Sequence, residues 1–326
     1  MVDLTVRSES WPIRGSFTIS RGSKTRVDVV VVELSDGDAK GFGECVPYAR
    51  YGESVSSVIE QVRSLEAELN HGLTPAELQH RITAGAARNA LDCALWDLQA
   101  KKSGKPAWEL AGIPSVRQLT TAYTLSLDTP EKMHNAAKES ADRPLLKLKL
   151  AGVGDFQRVK AVREGAPAAR LIVDANEGWT AEIYQQLVPQ LYSLGVGMIE
   201  QPLPTGADDL LKTVDRPIPI CADESCHDRA SLSDIVGKYD MINIKLDKTG
   251  GLTEALALKQ SAEALGLKIM VGCMLATSLA MAPAMLVAQG ADIVDLDGPL
   301  LLEKDRAHGL QFENGYIYPP EATLWG

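Results

Sequence analysis

Between residues 149 and 295 a polar residue closes one apolar run after another at nearly even intervals: Lys149, Asp174, Glu200, Asp223, Lys245, Cys273 and Asp295 follow each other at spacings of 22 to 28 residues. A strand, a helix and their two loops need about that much chain, so the runs read as parallel strands separated by helices. With the run that precedes the first, there are eight: TTAYTL, LLKLKL, RLIVDAN, VGMIEQP, IPICADES, DMINIKL, KIMVGCM and DIVDLDG. Parallel strands at this period close into a barrel whose C-terminal strand ends share one mouth. An open doubly wound sheet is the competing architecture, but no Gly-x-Gly-x-x-Gly fingerprint opens the series, and the glycine pair of KTGGLTEA reads as a tight turn into a helix.

The first hundred or so residues have a different texture. DVVVVELSDG and AKGFGECVPY read as strands of a meander around a Ser-Asp-Gly turn, followed by helical patterns at SVSSVIEQVRSLEAEL and ARNALDCALWDLQAKKSG. In the second helix Leu91, Ala94, Leu95 and Leu98 recur at helical spacing, which makes it a core helix and Cys93 a packing residue. The expected division is an α+β unit over 1–115, a barrel over 116–305, and a segment 306–326 that packs back on the first unit.

With 326 residues, 45% of them hydrophobic, the chain can bury a sizeable core. Its 33 basic and 43 acidic residues give a net charge of −10, and no Lys/Arg-rich run grips a phosphate backbone, so nucleic acid is not an expected partner. Cys45, Cys93, Cys221, Cys226 and Cys273 are too scattered, and odd in number, for a disulfide framework, and MVDLTVRSES lacks an apolar signal core. No apolar run reaches the roughly 18 residues of a membrane span; LAMAPAMLVA is broken by Pro283. A soluble, cytoplasmic protein is expected, and assembly into a homo-oligomer is compatible with the sequence.

In LLKLKL, Lys147 and Lys149 share one face of a strand and the leucines the other. On an edge strand that is ordinary solvation; in a barrel the lysine face is the interior, where cations are expensive unless used. Asp174, Glu200 and Asp223 come from three consecutive strand ends, and hard oxygen ligands of this kind suit one Mg²⁺ ion. Lys149 precedes this trio and Lys245 follows it, so two bases flank one bound substrate. A carbon acid beside a carboxylate can lose its α-proton to one lysine and regain it from the other, and partial desolvation with the positive field of Lys147 and the metal lowers the lysine pKa toward neutrality. The chemistry expected is 1,1-proton transfer. Zinc at Cys221, Cys226 and His227 would compete with Asp223 for that role and lacks a second paired motif.

The set KLKL, VDANEGW, IEQPLP, ADES, NIKLDKTGGLTEAL and DLDG resembles the enolase superfamily, muconate-lactonizing subgroup, and within it the dipeptide epimerases. The resemblance runs over nearly the whole chain. It implies an α/β fold, a (β/α)7β TIM-like barrel with an N-terminal α+β capping domain that closes over it. It further implies Asp174, Glu200 and Asp223 as Mg²⁺ ligands, Lys149 as the base for the L-epimer and Lys245 for the D-epimer, with Lys147 in support. Asp295 and Asp297, on one strand face, resemble an Asp-x-Asp clamp on a substrate ammonium. Lys24, in SRGSKTR, is placed to meet an acidic side chain; relatives carry arginine there, so the charge is kept but the bidentate fork is lost. Thr124 and Cys273 complete the expected substrate contacts. The activity implied is epimerisation of a small dipeptide such as L-Ala-D/L-Glu from peptidoglycan. N-succinyl amino acid racemisation or o-succinylbenzoate synthesis stands as the alternative within the superfamily, and a Schiff-base aldolase or a non-catalytic binding barrel outside it.

Overall fold

A computed structural model of the protein describes residues 2–326. The N-terminal sheet is antiparallel, β1 (Asp3–Ile19), β2 (Gly22–Asp36) and β3 (Ala39–Cys45) in sequence order. Its central strand is buried on both faces, as its run of four valines requires. Val30 and Val32 pack with the helices of the N-terminal unit, while Val29 and Val31 join the core shared with the barrel. The first helical pattern breaks into two helices, Val55–Arg63 and Glu66–Asn70.

The second, Ala86–Ser103, is one helix, and it is buried nearly all round. It lies close on β3, where a Cβ at Gly41 or Gly43 would collide with the helix backbone at Ala94 or Ala90. On the other side it reaches the barrel: Asp92 accepts from the Thr253 N–H at 2.9 Å, and Arg88 donates to the Thr249 carbonyl at 2.7 Å. The Gly250–Gly251 turn, with φ of +73° and +111°, is filled by those two side chains. That glycine pair therefore accepts a neighbouring helix, in keeping with its reading as a turn.

After the short strand β4 (Leu119–Thr120), eight parallel strands follow in spatial and sequence order: β5 (Tyr123–Leu125), β6 (Leu145–Lys149), β7 (Arg170–Asp174), β8 (Val196–Glu200), β9 (Ile220–Ala222), β10 (Met241–Ile244), β11 (Lys268–Gly272) and β12 (Ile293–Asp295). All eight expected strands are present. The sheet closes where the Ala122 N–H donates to the Val294 carbonyl at 2.8 Å. Ala122, Leu145, Ile172, Met198, Cys221, Met241, Met270 and Ile293 form a buried inner layer, one residue from or beside each strand, which makes Cys221 a wall residue. β13 (Phe312–Glu313) and β14 (Tyr316–Ile317) form a small sheet with β4. The last residues return to the N-terminal unit, Trp325 Nε1 donating to the Cys93 carbonyl and the Gly326 N–H to Asp97.

Pro283 does not break its apolar stretch. It sits inside the buried helix Ser278–Ala288, and no helix among the described residues is long and apolar enough to cross a membrane.

Candidate active site

Strand alternation builds the site. Two residues beyond the apolar inner layer, on or just past strands β6 to β10 and β12, stand Lys147, Asp174, Glu200, Asp223, Asn243 and Asp295, on the same inward face and all buried. Lys149 and Lys245 stand two residues further on β6 and just after β10. Leu146 and Leu148, of opposite parity, pack outward in the main core. The charged face of LLKLKL is thus interior. Strands β6 and β10 are four places apart in an eight-stranded barrel, so Lys149 and Lys245 project from opposite walls.

Between them lies the carboxylate trio. Ligand atoms of Asp174, Glu200 and Asp223 fall within 4.8 Å of one another, the single such group of possible metal ligands among the described residues. Three buried carboxylates converging this closely fit a divalent cation, and Glu200 Oε2, although 2.7 Å from Lys147 Nζ, accepts no well-aligned hydrogen bond. Asn243 donates to the other Glu200 oxygen at 2.7 Å, orienting the carboxylate.

Four lysines neutralise this cluster. Lys149 Nζ lies 2.6 Å from Asp174 Oδ2, and Lys245 Nζ lies 2.7 Å from Asp223 Oδ2. Lys248, also 2.7 Å from Asp223, donates to the Asn243 carbonyl as well. Lys147 contacts Glu200 and Asp295 at 2.7 Å and Asp174 at 3.3 Å. Burial pulls the Lys245 ammonium down, but Asp223 and Glu200 outweigh it and hold its pKa well above the ordinary lysine range. Burial pushes Asp174 up; Lys149 and Lys147 reverse this and hold it low. Glu200 remains raised, by burial first and the Asp174 charge second. The immediate neighbours of Lys245 are thus carboxylates, and the cationic field expected to depress a catalytic lysine combines Lys147 with the metal ion.

The mouth opens into a cavity of about 440 Å³ lined by Lys149, Lys245, Asp223, Glu224, Lys24 and Cys273, with Phe17, Ile19, Tyr48 and Tyr51 among the other wall residues. Lys24 Nζ sits 5.7 Å from the centre of the Tyr48 ring. Arg21 is spent on protein partners, donating to Glu224 and to the Asn176 carbonyl, both at 2.8 Å. Arg26 turns away to Ser10.

The Asp-x-Asp pair is arranged differently from the expectation of a shared strand face. β12 ends at Asp295, and Asp297 caps the short turn Gly298–Leu301, where its carboxylate accepts from the Thr124 N–H at 2.6 Å. Burial, then the Asp295 charge, pushes the Asp297 carboxyl up to about 7. Asp295, Asp297 and Thr124 lie outside the lining of this cavity, yet Asp295 Oδ1 accepts no hydrogen bond from the described residues.

Sequence reasoning missed Lys248, Asn243, Glu224 and Gln201. Asn243 was findable by counting parity from Met241. Gln201, whose side-chain oxygen accepts from the Asp223 N–H at 2.9 Å and the Ser225 N–H at 3.1 Å, acts across 22 and 24 residues of chain, and no local pattern marks it.

Residues 1–112 match the family model described as mandelate racemase/muconate lactonizing enzyme, N-terminal domain, and residues 132–323 match enolase C-terminal domain-like. The chain is 48% identical over 320 residues to the L-Ala-D/L-Glu epimerase of Escherichia coli K12, covering 98% of this chain and 100% of that one. It is 46% identical over 300 residues to the N-acetyl-D-glutamate racemase of a Pseudoalteromonas species, covering 91% and 95%. Its structure matches, with a TM-score of 0.99 and 51% identity over the full length of both chains, an Agrobacterium tumefaciens enolase family member with homology to dipeptide epimerases, crystallised with sodium and L-Ala-L-Glu.

Proposed function

Because the chain belongs to the mandelate racemase/muconate lactonizing enzyme family, with its enolase-like barrel, we propose that it is a Mg²⁺-dependent epimerase that inverts the α-carbon of the second residue of a dipeptide, L-Ala-D/L-Glu foremost. The observation that carries this reading is the pair Lys149 and Lys245, on opposite barrel walls of one cavity with three convergent carboxylates between them. One lysine takes the α-proton from its face of the substrate while the other, protonated, delivers a proton to the opposite face. Lys149 serves the L-epimer and Lys245 the D-epimer.

Asp174, Glu200 and Asp223 would hold the Mg²⁺ ion. Bound there, it would draw off the charge developing on the substrate carboxylate and neutralise the carboxylates that now keep Lys245 protonated. Lys147 stays protonated among Asp295, Glu200 and Asp174 and keeps them in place. The apolar walls, Phe17 and Ile19, exclude water from the reacting carbon. Lys24 meets the side-chain carboxylate of the substrate and Cys273 borders the bound peptide, while Thr124, off the cavity wall, holds Asp297 in place. Asp295, with its unused oxygen, and Asp297 receive the ammonium. Peptides released from the cell wall, met in the cytoplasm, are the source of substrate this reading implies.

A second reading, N-acylglutamate racemisation, draws on the same lysines and on Lys24. It is favoured by the commitment of Asp295 to Lys147 and of Asp297 to Thr124, which leaves neither on the cavity wall, and by the similarity to a racemase of that kind. Deuterium incorporation from solvent, read by mass for L-Ala-D-Glu and N-acetyl-D-glutamate side by side, tests both. We expect kcat/KM to favour the dipeptide at least about tenfold, since an acylated nitrogen leaves the carboxylate pair unmatched. Preference for the N-acyl substrate would overturn the dipeptide assignment, and exchange into neither would overturn both.

A further inference from the structure

Two segments of the N-terminal unit cover the cavity, the turn between β1 and β2 that carries Ser20 and Arg21, and the single turn Ala49–Tyr51 beyond β3. Each sends an arginine to the same loop of the barrel, the one that follows β7. Arg50 donates to Glu177 Oε1 at 2.6 Å and ion-pairs with Oε2. Arg21 donates to the Asn176 carbonyl at 2.8 Å, and its Nη1 lies 3.4 Å from Glu177 Oε2. Ser20 Oγ donates to the same carbonyl at 3.1 Å.

Glu177 is not free to follow either segment. Its side chain is 8% exposed, and the Thr205 N–H donates to Oε1 at 2.9 Å. Asn176 and Glu177 both lie in the left-handed region, with φ of +44° and +64°, a conformation that non-glycine residues keep only where their surroundings enforce it. A carboxylate can accept two guanidinium groups at once; a neutral amide offers one oxygen and no charge.

We infer that Glu177 is a positioning residue that couples the two covering segments, so that they close over the cavity as one unit. Lys24 follows the first segment at the start of β2, and Tyr48, beneath it, borders the second. The grip of Lys24 on an acidic substrate group therefore depends on Arg50.

Amide hydrogen exchange of the full-length protein, read by mass without substrate, tests this whatever the substrate proves to be. Glu177→Gln should raise exchange at least about threefold in both 18–26 and 47–52. Arg50→Gln should raise it in 18–26 as well as in 47–52. Arg21 also donates to Tyr48 Oη at 3.2 Å, a second link between the segments. The effect of Arg50→Gln on 18–26 should therefore persist in a Tyr48→Phe background. Exchange confined to 47–52 in Arg50→Gln, parent-like exchange in Glu177→Gln, or loss of the transmitted effect with Tyr48→Phe would each overturn the coupling. If Glu177→Gln does not fold, Arg50→Gln alone decides, its side chain being 35% exposed.

A kinetic arm rests on the epimerase reading. Arg50→Gln should raise KM for L-Ala-L-Glu at least about threefold and change α-proton exchange at saturation less than about twofold. A fall in the saturated rate with KM unchanged would mean that the loop acts on Asp174 and not on closure.

Discussion

Replacing Lys245 with alanine should separate the two halves of the reaction without dismantling the site. Lys149 and Lys245 stand on strands four places apart around the barrel, so neither can reach the face served by the other. Loss of one proton-transferring group costs about 10² to 10⁴ in rate, so net epimerisation should fall by about 10³ or more. The fold should survive for a reason visible in the ion pairs. Removing one partner of a buried pair costs about 3–5 kcal/mol when the other charge is stranded. Here Asp223 keeps Lys248 at 2.7 Å, and the expected loss is about 1–2 kcal/mol. Proton NMR in deuterated solvent gives the kinetic result. The α-proton of L-Ala-L-Glu should still exchange through Lys149, while that of L-Ala-D-Glu does not. Denaturant titration gives the stability change. Interconversion near the parent rate would refute the two-base arrangement. Loss of both exchanges in a folded protein would show that Lys149 does not act independently.

Asp174→Asn preserves volume and removes one charge of the trio, so Mg²⁺ affinity measured by calorimetry should fall at least about tenfold; an unchanged affinity would remove Asp174 from the ligand set. Chelation of divalent ions should abolish turnover while leaving the melting of the barrel nearly unchanged, because the core is built from the apolar layers. Asp247 is buried where the N-terminal unit meets the barrel, and burial, opposed by the N–H of Val46 and the amide of Asn89, pushes its carboxyl up to about 7. The folded state thus holds a proton that the unfolded state releases. The stability this contributes is present below about pH 4 and lost as pH rises through about 7, with about 4 kcal/mol as an upper bound. Asp247→Asn keeps the acceptor Oδ1, so its stability relative to the parent should grow from pH 4 to pH 8; parallel profiles would refute the assignment.

The barrel was legible because its strands are short, apolar and evenly spaced, and because the site residues follow from strand parity. The positions of Lys149, Asp174, Glu200, Asp223 and Lys245 could be read from period, since each ends or directly follows a strand whose inward face is fixed by the apolar residue below it. Asp297 was misplaced on the strand because parity says nothing about where a strand stops; β12 ends two residues earlier, and a turn redirects the side chain to the Thr124 N–H. Arg21 stands in the same SRGSKTR stretch as Lys24, but its commitment to Glu224 spans 203 residues and leaves no local trace. Lys248 was hidden in the turn KLDKTGG, which reads as solvated until the short helix Leu246–Thr249 folds it inward.

The helix Ala86–Ser103 has a practical consequence for recombining such proteins. One side of it fits glycines of β3, and the other supplies Asp92 to the start of the helix Leu252–Ala264 and Arg88 to the turn before it. A crossover on either side of this helix would join it to a half with which it was not selected. Exchanging whole N-terminal units between relatives should therefore yield insoluble chimeras more readily than grafting the short stretches around Arg21–Lys24 and Tyr48–Tyr51, which touch the cavity and leave that interlock intact.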